Sequence, residues 1–114
     1  GIKSLDVTID CDNLDTRKLG TMGIPARFDL CNIEGFEDTT GTMHPAEDVR
    51  EKISALGFPI EDAVKDKSSI RLKIDKMFTG LLTGFPGNNN FILTVTENNG
   101  LSTTKTLKYY VPAN

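Results

Sequence analysis

Hydrophobic and polar positions alternate most clearly toward the end of the chain. Residues 91–96 place Phe91, Leu93 and Val95 on one face of an extended strand and Ile92, Thr94 and Thr96 on the other. After Glu97-Asn98-Asn99-Gly100, the return run gives Leu101, Leu107, Tyr109 and Val111 one parity, against Thr104, Thr106, Lys108 and Tyr110. β-Branched and aromatic residues fill both runs, and Asn-Asn-Gly between them tolerates positive φ. The pattern predicts a β-hairpin with one buried and one wet face. Such a hairpin is marginal alone in water, so the remaining chain has to cover its apolar side.

The same alternation recurs upstream. Residues 2–10 set Leu5, Val7 and Ile9 against Ser4, Asp6, Thr8 and Asp10, a half-buried strand. Residues 12–25 carry Asn13, Gly20, Gly23 and Pro25 and read as a turn-rich loop, pinned to the core by Leu14, Leu19, Met22 and Ile24. Residues 27–33 form a second strand with Phe28 and Leu30 inward. Residues 34–43, polar and interrupted by glycine, read as a mobile surface segment.

Pro45 then opens a helix over residues 45–56, because proline at the first helical position loses nothing by lacking its N–H. Glu47 and Asp48 suit the positive end of the helix dipole, and Val49, Ile53 and Leu56 form one apolar stripe. Gly57 and Pro59 stop it. Residues 68–74 alternate Ile70, Leu72 and Ile74 with Arg71 and Lys73. Asp75 caps a short helix carrying Met77, Phe78, Leu81 and Leu82, and Gly87-Asn88-Asn89-Asn90 turns into the hairpin. Five strands and two short helical connections make the fold class mainly β, an immunoglobulin-like β-sandwich.

Composition narrows the class further. At 114 residues, with 38 % hydrophobic and 25 % charged positions, the chain reads as one soluble domain over residues 1–114, a module of a longer protein. A net charge of −3 disfavours nucleic acid and anionic lipid as partners, since both select basic surfaces. No apolar run approaches the ~20 residues of a membrane span. Cys11 and Cys31, if paired, would close a loop stabilising by roughly 3 kcal/mol in the chain-entropy model. If their strands are antiparallel neighbours, however, the sulfurs lie near opposite ends of the pair, which favours two buried thiols.

The chemistry-bearing residues are few. His44 is the sole histidine, and its one conceivable catalytic partner is Cys31 as nucleophile; a strand-end thiol and an exposed residue before Pro45 is the plainer account. No catalytic residue is assigned. Asp10, Asp12, Asn13 and Asp15 offer oxygens for calcium, but an EF-hand loop counted from Asp10 fails. Leu14 takes its fifth position, Asp15 stands where glycine is required, and Thr21 replaces the terminal glutamate. A calcium loop of another kind competes with a solvated strand end with Asx-turns, and no metal or cofactor is assigned. Glu34, Glu37 and Asp38 form a weaker acidic set. For glycans, Tyr110 points outward by parity, Tyr109 inward, and Phe36, Phe58 and Phe85 lie in loops that could expose them; there is no Trp.

One stretch carries a resemblance. Gly57-Phe58-Pro59, Glu61-Asp62-Ala63-Val64-Lys65-Asp66-Lys67, Met77-Phe78 with Leu81-Leu82, Asn90-Phe91-Ile92-Leu93-Thr94-Val95-Thr96-Glu97 and Thr103-Thr104-Lys105-Thr106-Leu107 follow one another in that order. Over residues 56–111 this resembles a family of Bacteroidetes cell-surface lipoprotein domains of unknown function with an immunoglobulin-like sandwich. Glu97 replaces an expected Asp and Asp66 an expected Gly. The resemblance implies a cell-envelope or extracellular location, a lipid-anchored and often multi-domain parent, and no catalytic or binding motif. The expected function is a non-catalytic module serving as spacer, adhesion or interaction domain, with protein or glycan partners at the cell surface. The alternative is a glycan-binding module.

Overall fold

A computed structural model of the chain describes residues 1–67 and 86–112. The predicted strand at residues 68–74, the helix around Met77–Leu82 and the aromatic Phe85 lie outside the described residues. What is described is β-rich and antiparallel. A four-stranded sheet has the order β2-β1-β5-β6, and a two-stranded ladder, β3-β4, stands apart. Strand β1 (Ile2–Cys11) occupies the centre, between β2 (Arg27–Asp29) and β5 (Gly87–Glu97), and β6 (Ser102–Val111) completes the hairpin.

Register explains the core. Val7 lies opposite both Phe28 and Leu93, Ile9 opposite Phe91, and Phe91 opposite Leu107. Directly opposed residues share a face, so Leu5, Val7, Ile9, Phe28, Phe91 and Leu93 make one apolar surface. All six are buried. Among the described residues three short helices supply the cover. Leu19 comes from α1 (Thr16–Thr21), Val49 and Ile53 from α2 (Ala46–Ala55), and Val64 from α3 (Asp62–Lys65). Phe58, predicted in an exposable loop, is buried instead; its ring meets Phe28 edge-on at 5.6 Å and lies 6.5 Å from Phe91. The aromatic trio bridges β2, the segment after α2, and β5.

Helix α2 forms where its pattern predicts, one residue shorter at each end: Pro45, expected as the first helical residue, is instead its extended N-cap, and Gly57 follows its last turn at φ +95°. The hairpin turn likewise closes as expected, with Glu97 N–H donating to the Leu101 carbonyl at 2.9 Å and Gly100 at φ +91°.

Other expectations are corrected. The loop over residues 12–25 contains α1, because the Asp15 carboxylate accepts from Lys18 N at 3.1 Å and caps a first turn. Met22, expected to pin this segment, is exposed, while Leu19 and Ile24 do so. Strand β2 ends at Asp29, short of residue 33. The Asp29 carboxylate accepts from Leu5 N and Cys31 N, at 3.0 and 2.9 Å, and turns the chain away from the ladder. Gly87-Asn88-Asn89-Asn90 is strand, not turn: these residues pair with β6, and Asn89 and Asn90 also pair with β1, so ladder hydrogen bonds on both sides override local turn preference. Helix α3 is new, and follows Glu61 at φ +51°, an uncommon backbone for a residue with a Cβ.

Strand β6 departs most from expectation. Its parity is as predicted, yet Leu101 and Tyr109 are 64 % and 45 % exposed, and only Leu107 and Val111 pack partly against the core. Among the described residues, the helical cover reaches β2, β1 and β5 but stops short of β6, the outermost strand. Position across the sheet, rather than alternation along the strand, decides burial here.

The contrast between faces is measurable within β5. Phe91→Ala should cost about 3–5 kcal/mol by leaving a cavity in the core. Thr94→Ala removes a hydroxyl contact with Thr104 Oγ1 on the wet face (3.1 Å) and should cost no more than about 1 kcal/mol. Urea melts of the two variants check this, and equal losses would reverse the assigned faces.

Candidate functional site

The outer sheet face is polar in rows that register dictates. Asp10 lies opposite Asn90 and Asn90 opposite Lys108; the next row runs from Asn88 to Tyr110, and the row on the other side from Thr8 through Ile92 to Thr106. Further along, Thr94 and Thr104, then Thr96 and Ser102, join hydroxyls at 3.1 and 3.0 Å. The first rows border an open groove of about 630 Å³. Its lining includes two aspartates, three asparagines, Lys108 and two tyrosines, with Ile92 as an apolar patch.

One end of this groove is fastened. Asp12 N–H donates to the Asn88 carbonyl at 3.0 Å, and its carboxylate accepts from Asn88 N at 3.1 Å and Asn88 Nδ2 at 3.2 Å. Asn13 Nδ2 donates to the Pro86 carbonyl. Gly87, at φ +105°, lets these chains close, since a Cβ there would stand 3.0 Å from Asn13 Nδ2. The acidic stretch thus divides: Asp10 and Asp12 both border the groove, but Asp12 is bound to Asn88 of β5, and Asp15 caps α1. Sequence spacing alone grouped them as oxygen donors; the fold gives Asp12 and Asp15 different partners. Among the described residues no three His, Cys, Asp or Glu side chains gather in a group able to hold a metal ion.

A second constellation was missed in the sequence. Residues 34–43, read as mobile surface, instead form a hairpin of β3 (Phe36–Glu37) and β4 (Met43–His44) organised around buried Asp38. Its carboxylate accepts from Thr40 N at 2.8 Å, Thr40 Oγ1 at 2.5 Å and Thr42 N at 3.1 Å. His44 Nε2 donates to its second oxygen at 2.8 Å, with the imidazole stacked on Phe36 at 5.0 Å. The cluster is seated on α1, where Gly20 leaves only enough room: a Cβ there would lie 3.0 Å from Asp38 Cβ. Aspartate followed two residues later by threonine, then Gly41 at φ +85°, was the available signal of an Asx-turn.

His44 therefore does not activate Cys31. Its ring nitrogen is engaged by Asp38, whereas Cys31 is buried in the turn after β2. Burial, reinforced by Asp29, raises the Cys31 pKa; burial pushes Cys11 up to about 11. Both thiols are protonated at neutral pH and weakly nucleophilic. They are unpaired with each other. The Leu30 N–H bonds the Leu5 carbonyl, which sets Cys31 about six residues along β1 from Cys11, roughly 20 Å away. The paired alternative is thereby removed. Of the aromatic candidates for a binding platform, Tyr110 is exposed as expected and joins the groove, Phe36 is committed to His44, and Phe58 is in the core.

No family model, curated protein or solved structure matches this chain.

Asp38 yields a pH test. The Thr40 hydroxyl first, and His44 next, hold its carboxyl well below the ordinary 3.8, against the opposing effect of burial. The folded state thus binds this proton more weakly than the unfolded one. The stabilisation is complete above the unfolded pKa and drains away as pH falls below about 4. Thermal melts of Asp38→Asn against the wild type should show a Tm deficit at pH 7 that narrows at pH 3. A deficit unchanged across that range contradicts the assignment.

Proposed function

We infer that this chain is a non-catalytic interaction module of a bacterial surface lipoprotein, immunoglobulin-like in its wider architecture. The observation that carries the reading is the outer face of the sheet: four strands present it as rows of hydroxyl, amide and charged groups, indented by an open groove. A face of this kind offers many weak polar contacts to a partner and little dry surface on which to hold a reaction. The groups with catalytic potential are engaged elsewhere. His44 and Asp38 close a hairpin, and Cys11 and Cys31 are buried and protonated.

The immunoglobulin-like part rests on the antiparallel sheet, its C-terminal hairpin and the resemblance over residues 56–111; the second sheet described is the short ladder β3-β4. The lipoprotein part rests on the resemblance alone. The groove favours an interaction or adhesion role over that of a bare spacer, which would need no indentation.

Location is the first test. Antibodies against this module should label intact bacterial cells expressing the full-length parent, and brief protease treatment of those cells should abolish labelling. Labelling that requires cell lysis would contradict the surface assignment.

A further inference from the structure

We propose that the groove on the outer face of β1, β5 and β6 binds a neutral oligosaccharide chain, with Asp10, Asn90 and Lys108 reading hydroxyls and Tyr110 stacking on a sugar ring. The proposal rests on the interaction-module reading and specifies its ligand.

Three features of the groove lead to this ligand class. The first is donor and acceptor balance. Asp10 only accepts hydrogen bonds, Lys108 only donates, and Asn90 between them does both. A polyhydroxylated ligand can satisfy such a row because each hydroxyl donates and accepts. The second is span. Asp10 and Lys108 are separated by two strand spacings, roughly 10 Å, comparable with two linked sugar rings. The third is the placement of apolar surface. Tyr110, 64 % exposed, borders the groove at one end, and Ile92 lies on the other side of the Asn90 row. Those two patches suit the C–H faces of sugars, while the polar row between them suits their edges.

Other ligand classes fit less well. Asp10 and Asp12 oppose an anion such as a phosphate chain, and the overall charge of −3 does the same. A lipid would meet Ile92 and two tyrosines among otherwise polar and charged groups. A divalent cation would find Asp12 already holding Asn88, leaving Asp10 as the carboxylate facing the groove without that commitment. The groove is also open along the sheet rather than closed, which admits an internal stretch of a polymer as readily as its end.

The probes are neutral hexasaccharides of α-glucan, β-glucan, xylan and mannan, with hexagalacturonate as the anionic control and calcium chloride alone as the cation control. Each is titrated into ¹⁵N-labelled protein to about 10 mM. At least one neutral hexasaccharide should shift the backbone amides of Asn88, Asn90 and Lys108 in a saturable manner. Tyr110→Ala and Asp10→Ala should each weaken that binding by about tenfold or more, as expected when a side chain central to a binding surface is truncated. Thr104→Ala, on the same face but outside the groove, should leave it unchanged, and the thermal melts of all three variants establish that they are folded. Absence of saturable shifts with every neutral sugar overturns the proposal. So does binding that survives both groove substitutions, or a response to hexagalacturonate or calcium alone. Those failures leave the surface-labelling result untouched, so a wrong ligand and a wrong location are told apart.

Discussion

One sheet face has to be kept from water, and the rest of the described chain is arranged to do it. Leu5, Val7 and Ile9 of β1 lie beside Phe91 and Leu93 of β5, and none is more than 6 % exposed. Burying such side chains contributes roughly 1.5–3 kcal/mol each, which outweighs any single surface contact. The cover is assembled from short pieces, each too small to be stable alone: a six-residue α1, a ten-residue α2 and a four-residue α3. They are helical because the sheet gives their apolar residues somewhere to go.

From that arrangement the outer face follows. Each strand residue that points into the core fixes its neighbours outward, so the register that brings Ile9 to Phe91 also brings Asp10 to Asn90 and Lys108 to the same row. The groove is in this sense a by-product of core register, and its residues are far apart in the sequence. The fastening of Asp12 to Asn88 and of Asn13 to Pro86 then sets where β1 ends and β5 begins. The Asp38 hairpin plays a comparable part on another side of the molecule. There a buried carboxylate, satisfied by two backbone amides, a hydroxyl and an imidazole, organises a segment with little apolar content of its own.

What the sequence made legible was whatever has a period. Strand β1, the β5–β6 hairpin and α2 all carry enough repeats of two or 3.6 residues to be recognised, and α2 has both of its terminal signals. Helices α1 and α3 are too short for an apolar stripe; for α1 only the Asp15 cap announced it. The run of three asparagines read as turn chemistry, and partners on both strands outvoted it. Tyr109 was placed on the correct face and still proved exposed, because alternation says nothing about how far the cover extends across a sheet. The acidic set at Asp10, Asp12 and Asp15 shows the complementary limit. Proximity in sequence suggested a shared ligand, whereas Asp10 borders the groove, Asp12 beside it holds a strand and Asp15 caps a helix. The groove itself was visible only as separate fragments, Tyr110 and Asp10, since joining them needs the pairing of β1 with β5.

The central claim is that β1 and β5 form the protected centre of the sheet while β6 is, among the described residues, its outermost and least covered strand. Native-state hydrogen exchange, resolved residue by residue, tests it most directly. The account predicts that amides within Leu5–Ile9 and Phe91–Val95 exchange only through global unfolding, and that amides of β6 directed away from β5 exchange orders of magnitude faster. Protection in β6 equal to that of β1, or rapid exchange throughout β1, would contradict it.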